Sequence, residues 1–172
     1  TADAEGNLWS SKGDCAGIVC RVTDGCGNVL GEECVNEEDA VISYKGAKAG
    51  EVNHGGIMSV TSVNTTIRNC QNYGTITSSG TMNTAMSLGG ILANISHKST
   101  VVDGCTNHGT VEQTAGYADR LFIGGIVGYS YSSGTIQNCI NDTDAVITIA
   151  AVSAANTYSA TNYIAVGGIC GY

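Results

Sequence analysis

Proline is absent from this 172-residue chain, Phe and Trp occur once each, and only 13% of residues are charged. So few aromatics argue against a helical bundle. The 24 glycines, with abundant Ser, Thr and Asn, favour many short strands joined by polar turns. Low charge does not imply disorder here, because 42% of the residues are apolar. No stretch approaches the roughly 20 apolar residues of a membrane-spanning helix, so membrane insertion is not expected. Basic residues are scarce as well, and the formal charge of −8 disfavours nucleic acid or an anionic membrane as partner.

The charge is also uneven. Ten of the fifteen acids fall in residues 1–51, and the rest of the chain is almost neutral. An acidic, polar end suits a solvated cover over the first unit of a stack. Residues 1–13 read as that leader or cap. Thr1 opens the chain with no basic or apolar leader behind it, which reads as a processed or excised piece.

What the sequence does have is a repeat. Gly55-Gly56-Ile57 leads to Ile67-Arg68-Asn69-Cys70-Gln71-Asn72, and Gly89-Gly90-Ile91 leads to Val102-Asp103-Gly104-Cys105-Thr106-Asn107. Gly124-Gly125-Ile126 leads to Thr135-Ile136-Gln137-Asn138-Cys139-Ile140-Asn141. A worn copy, Ala16-Gly17-Ile18 to Cys34-Val35-Asn36, opens the series, and Gly167-Gly168-Ile169 begins another. Cys34, Cys70, Cys105 and Cys139 are 36, 35 and 34 residues apart. A fixed period in that range means stacked units, each burying its apolar face on its neighbours.

The pattern predicts an all-β fold: a parallel β-helix of about four coils over residues 14–172, with three short strands per coil. The first coil, 14–53, is irregular, and the last is incomplete from 164. Three aliphatic columns are expected inside. One holds Ile18, Ile57, Ile91, Ile126 and Ile169; a second holds Leu30, Ile67, Val102 and Ile136; a third holds Val41, Ile76, Val111 and Val146. Ile67 and Cys70 both point inward only if the chain bends near Arg68-Asn69. Asn36, Asn72, Asn107 and Asn141 follow each cysteine by two and read as an Asn ladder at a corner. The glycine pairs supply positive φ or a close backbone approach. Polar loops are expected at 79–86, 114–120 and 153–162.

Gly-Gly-Ile-Val-Gly-Tyr, a polar turn, then Thr-Ile-Gln-Asn-Cys resembles the glycine-rich GLUG-type repeat of bacterial surface proteins. The resemblance covers roughly residues 54–172 and, more weakly, 15–53. It implies a parallel, right-handed β-helix in a secreted or wall-attached protein of the adhesin-like and peptidase-associated kind. It marks a scaffold and says little of an activity.

Candidate chemistry is thin. The column Cys34, Cys70, Cys105, Cys139 reads as stacked buried thiols, since in-register Cβ vectors suit a disulfide poorly. Cys15, Cys20 and Cys26 could form one bridge stapling the first coil. No Cys or His spacing fits a metal site, and no cofactor is expected. His54, His97 and His108 have no nucleophile beside them, and His108 is expected to face solvent. Arg68 and Asp103 should form a cross-coil charge pair. No two carboxyls are placed for glycoside hydrolysis, and neither Asp24–Asn28 nor Glu37–Asp39 is a full calcium loop.

The expected function is therefore a non-catalytic structural or adhesive module, extracellular, within a larger surface protein, with a host or glycan ligand as partner. The alternatives are a subunit that stacks on itself end to end into a filament, Ile164–Tyr172 adding near Cys15–Cys20, or a carbohydrate-binding or carbohydrate-active β-helix. In the last case Tyr117, Tyr129, Tyr131, Tyr158 and Tyr163 are the candidate sugar-stacking residues.

Overall fold

The computed structural model describes residues 8–10, 13–23, 25–48, 50–82, 84–115, 119–150 and 163–172. Among them there is no helix. The chain is a β-solenoid of about four turns in which every strand pairs in parallel with its counterpart one coil away. Residues alike in sequence lie over one another, as the period requires.

The three strands expected per coil resolve into five, which define five faces, and a sixth, two-stranded sheet pairs Ala47–Lys48 with Thr81–Met82 in the first two coils. Face I carries Cys15–Ala16, Val52–Gly55, Ala85–Gly89, Arg120–Gly124 and Tyr163–Gly167. Face II carries Val19–Val22, Met58–Thr61, Leu92–Ile95 and Val127–Ser130. Face III carries Val29–Glu32, Thr65–Arg68, Val101–Asp103 and Thr135–Gln137. Face IV carries the two-residue strands that end in Asn36, Asn72, Asn107 and Asn141. Face V carries Val41–Tyr44, Thr75–Ser78, Thr110–Gln113 and Val146–Ile149. Leu8–Ser10, within the expected cap, adds to face V beside Val41–Tyr44. Each Gly-Gly pair lies at the corner between faces I and II. The expected loop at 79–86 contains the strand Thr81–Met82 and the start of Ala85–Gly89. Residues 153–162, and 116–118 of the loop at 114–120, lie outside the described residues.

The interior is two aliphatic clusters. Ile57, Ile91 and Ile126 stack at the corner with Met58, Leu92, Val127, Ile67, Val102, Cys70 and Cys105. Ile42, Ile76 and Val111 pack with Val52, Met86, Leu88, Leu121 and Ile123. Each such side chain contributes about 1.5–3 kcal/mol when fully buried. The ends of the Ile57 column are open to solvent, Ile18 at 51% and Ile169 at 38% exposure.

Two column assignments need correction. The third column is Ile42, Ile76, Val111 and Ile147, with Val41 and Val146 on the outer side. Asn36 pairs Asn72 while Val41 pairs Thr75, so the first coil holds two extra residues in this turn, as does the fourth. Counting one extra residue reverses every side chain beyond the turn. The turns close through Ala40 N to Glu37 O and Ala145 N to Asp142 O, both 3.1 Å. In the second column Gly31, not Leu30, pairs Ile67, and Leu30 is exposed.

The expected bend before each cysteine is present and has one conformation. Glu33, Asn69 and Asn138 have φ of 55°, 53° and 53°, and Gly104 has 63°. Asn and Gly tolerate the left-handed region; Glu does not. Glu33→Gly should therefore stabilise the protein by about 1 kcal/mol. Urea unfolding reads this directly, and an unchanged or lower midpoint would show that the first corner is not strained.

Candidate functional site

The recurrent polar residues hold the coils together, and their commitments decide what remains for function. The Asn ladder exists: Asn36 Nδ2 donates to Asn72 Oδ1 at 2.7 Å, Asn72 to Asn107 at 2.7 Å, and Asn107 to Asn141 at 2.9 Å. Asn72 and Asn107 give their second amide hydrogen to Gly74 O and Gly109 O two residues on, at 3.2 and 3.3 Å. A Gly-Gly corner backs each rung. A Cβ at Gly56 would lie 2.7 Å from Asn72 Oδ1, and one at Gly90 2.5 Å from Asn107 Oδ1. Of the two roles expected for these glycines, close approach is the one realised, since none of the pairs has positive φ.

The cysteine column is a stack of thiols. From the second coil on, each Sγ faces carbonyls of its own and the preceding coil: Cys70 to Arg68 O at 3.3 Å and Gly31 O at 3.7 Å, Cys105 to Asp103 O at 3.5 Å and Ile67 O at 3.6 Å. Burial raises the Cys34 thiol, and hydrogen bonds with Cys139 and Cys70 hold Cys105 above the ordinary thiol range. All eight cysteines are free, so no bridge joins Cys15, Cys20 and Cys26. Native labelling with iodoacetamide should modify Cys20 and Cys26, which are exposed, and spare Cys70 and Cys105, which are fully buried. Rapid loss of the Cys70 and Cys105 thiols by mass spectrometry would contradict the packed column.

The histidines divide. His108 is only partly exposed: it stacks on Tyr73 at 4.5 Å and 3°, and its Nδ1 lies 2.8 Å from Asp142 Oδ2. The backbone N–H of Thr143 holds the Asp142 carboxyl below its usual range. His54 is fully buried, its Nε2 3.1 Å from Gly13 O, its Nδ1 unpartnered, and its ring edge-on to Tyr44 at 5.7 Å. The expected Arg68–Asp103 pair is not formed. Arg68 bonds Glu32 Oε1 at 2.8 Å, and Asp103 accepts from Asn138 Nδ2 at 2.8 Å. Among the described residues no three His, Cys, Asp or Glu side chains group closely enough to hold a metal ion.

What stands apart from the scaffold is the outer side of the Gly-Gly corner. Two columns of residues, seven apart in each coil, border it. One column runs Asp14, Asn53, Ser87, Phe122, Ala165 and the other Arg21, Val60, Asn94, Tyr129, Tyr172, with Asp14 bonded to Arg21 and Phe122 stacked on Tyr129. The seam begins charged: Arg21 Nε donates to Asp14 Oδ2 at 2.9 Å, Asn53 Nδ2 to Asp14 Oδ1 at 2.8 Å, and Asn94 Nδ2 to Asn53 Oδ1 at 3.3 Å. It ends aromatic. Phe122 is buried under Tyr129, parallel at 4.3 Å and 7°. Tyr172 lies 5.8 Å and Tyr131 6.1 Å from Tyr129.

Of the expected sugar-stacking residues, the structure brings together Tyr129 and Tyr131; Tyr163 begins the last face I strand beside Arg120, and Tyr117 and Tyr158 lie outside the described residues. Phe122 and Tyr172 are the members that sequence reasoning missed. The column of Phe122 shares no residue type from coil to coil, and the one signal for Tyr172 was that it repeats Tyr129 at the same place of the Gly-Gly-Ile phrase.

Comparison with protein-family models, with curated proteins and with solved structures finds no match.

Proposed function

We propose that this chain is a non-catalytic structural and adhesive module of an extracellular bacterial surface protein. The observation that carries the reading is where the recurrent residues go. Cysteine, asparagine, the glycine pairs and the isoleucines all close the coil stack on itself, and the chemistry that differs from coil to coil lies on the outside. Such an arrangement suits a rigid body that displays surface. Antiserum raised against the purified chain should label intact cells of the source organism; labelling only after lysis would overturn the reading.

End-to-end stacking is the second reading, favoured by the polarity of the ladder. Its amides all donate in one direction, so Asn36 presents an acceptor at one end and Asn141 a donor at the other. Both ends also carry exposed aliphatics, Ile18 and Leu30 at one, Ile140 and Val166 at the other. Sedimentation at rising concentration should then show growing assemblies; a monomer at every concentration removes this reading.

A further inference from the structure

We infer that Tyr129, Tyr131 and Tyr172, seated on Phe122, form a binding platform for a neutral glycan. The inference rests on the adhesive reading and names the class of ligand. The chain has only ten aromatic residues, and four of them meet at this one stretch of the Gly-Gly corner. Aromatic burial does not explain the cluster, because Tyr131 is 74% and Tyr172 60% exposed.

The parts differ in role. Phe122 is buried and holds Tyr129 by parallel stacking, so the central ring has a fixed orientation. Tyr131 and Tyr172 tilt from it by 55° and 39°, giving a faceted surface rather than a flat one. A tyrosine offers an apolar ring face and a hydroxyl at its tip, with few rotatable bonds to immobilise. A pyranose has the matching form, C–H groups on its faces and hydroxyls at its rim. The hydroxyl of the neighbouring Ser130 is committed to Ser132 O at 2.8 Å, so recognition falls to the rings.

Charge selects within the class. None of the four residues carries charge at neutral pH, and the nearest cation along the same strand, Arg120, is 3.9 Å from Glu51. With Arg120 already facing Glu51, a uronate or sulfate group would lose hydration at the rings without gaining an ion pair. The depression lined by Asn28, Leu30, Asn64 and Arg68 is a weaker candidate, since Arg68 is committed to Glu32.

Affinity electrophoresis of the whole chain through gels holding soluble β-glucan, xylan, galactomannan or polygalacturonate tests this. Retardation is expected on at least one neutral gel and not on polygalacturonate. Tyr131→Ala combined with Tyr172→Ala should weaken the retardation by about tenfold or more. Tyr73→Ala, at an exposed tyrosine elsewhere, should leave it unchanged, with circular dichroism confirming that each variant folds. No retardation on any neutral gel, retardation on the acidic gel alone, or equal retardation of the double variant would each overturn the inference. So would concentration-dependent self-association that the double variant abolishes, because the rings would then cover a second copy. Surface labelling of cells is unaffected by any of these outcomes, so the display reading stands or falls separately.

Discussion

Gly90→Ala is expected to destabilise the protein by more than about 4 kcal/mol, leaving little of it folded, whereas Gly168→Ala should change stability by less than about 0.5 kcal/mol. Both are the second glycine of a Gly-Gly-Ile phrase, and sequence alone treats them alike. A Cβ at Gly90 would sit 2.1 Å from Gly125 O and 2.5 Å from Asn107 Oδ1; at Gly168 it meets nothing within 4 Å. The backbone oxygen is the deciding neighbour. An amide side chain could swing aside, but Gly125 O is fixed by the stacked coil, so relief requires prising two turns apart. Urea denaturation of the two variants beside the parent protein measures the contrast. Equal, small losses would mean that the corner is looser than described.

Acidification should release the first turns through His54. Burial lowers its pKa from 6.5 to about 4, so the native state holds the ring neutral while the unfolded chain takes up a proton. Stability is complete above about pH 6.5 and falls as the pH drops toward 4, by up to about 3 kcal/mol. The surroundings support this direction. Cys15 and Leu88 occupy the same column, Tyr44 lies against the ring, and the anion acting on it among the described residues is Asp14, a smaller influence than burial. His54→Leu should flatten the dependence of the melting temperature on pH between 6.5 and 4. The carboxyls held below their usual range, Asp103 by Asn138 and Asp142 by Thr143, lose their contribution only at lower pH, so the two effects separate. A slope that survives the substitution would exonerate the histidine.

The period carried most of the fold because solenoid neighbours are also sequence equivalents. Ile57, Ile91 and Ile126, the thiols and the amides could be aligned by eye, and alignment there is adjacency in space. The bend near Arg68-Asn69 was legible for a different reason: two inward residues three apart cannot share a straight strand. Where the period changed, the reading slipped. Two added residues before Val41 and Val146 moved the apolar column to Ile42 and Ile147. At Leu30 hydrophobicity suggested the core, but the register gives the inward position to Gly31. The aromatic cluster was half visible. Tyr129 and Tyr131 stood out as candidates, but nothing in Asp14, Asn53 and Ser87 announces that Phe122 comes after them in one column.

The parallel pairing has a consequence for what the repeat multiplies. Each coil raises the stack by only about 4.8 Å, whereas the same thirty-five residues in a single helix would reach roughly 50 Å. As a means of holding something far from a surface, this architecture is extravagant with residues. It gains girth instead: every added unit brings another rung of five-sided perimeter whose outward positions are free to vary while the inner ones repeat. Lengthening such a protein therefore enlarges its flank far more than its height.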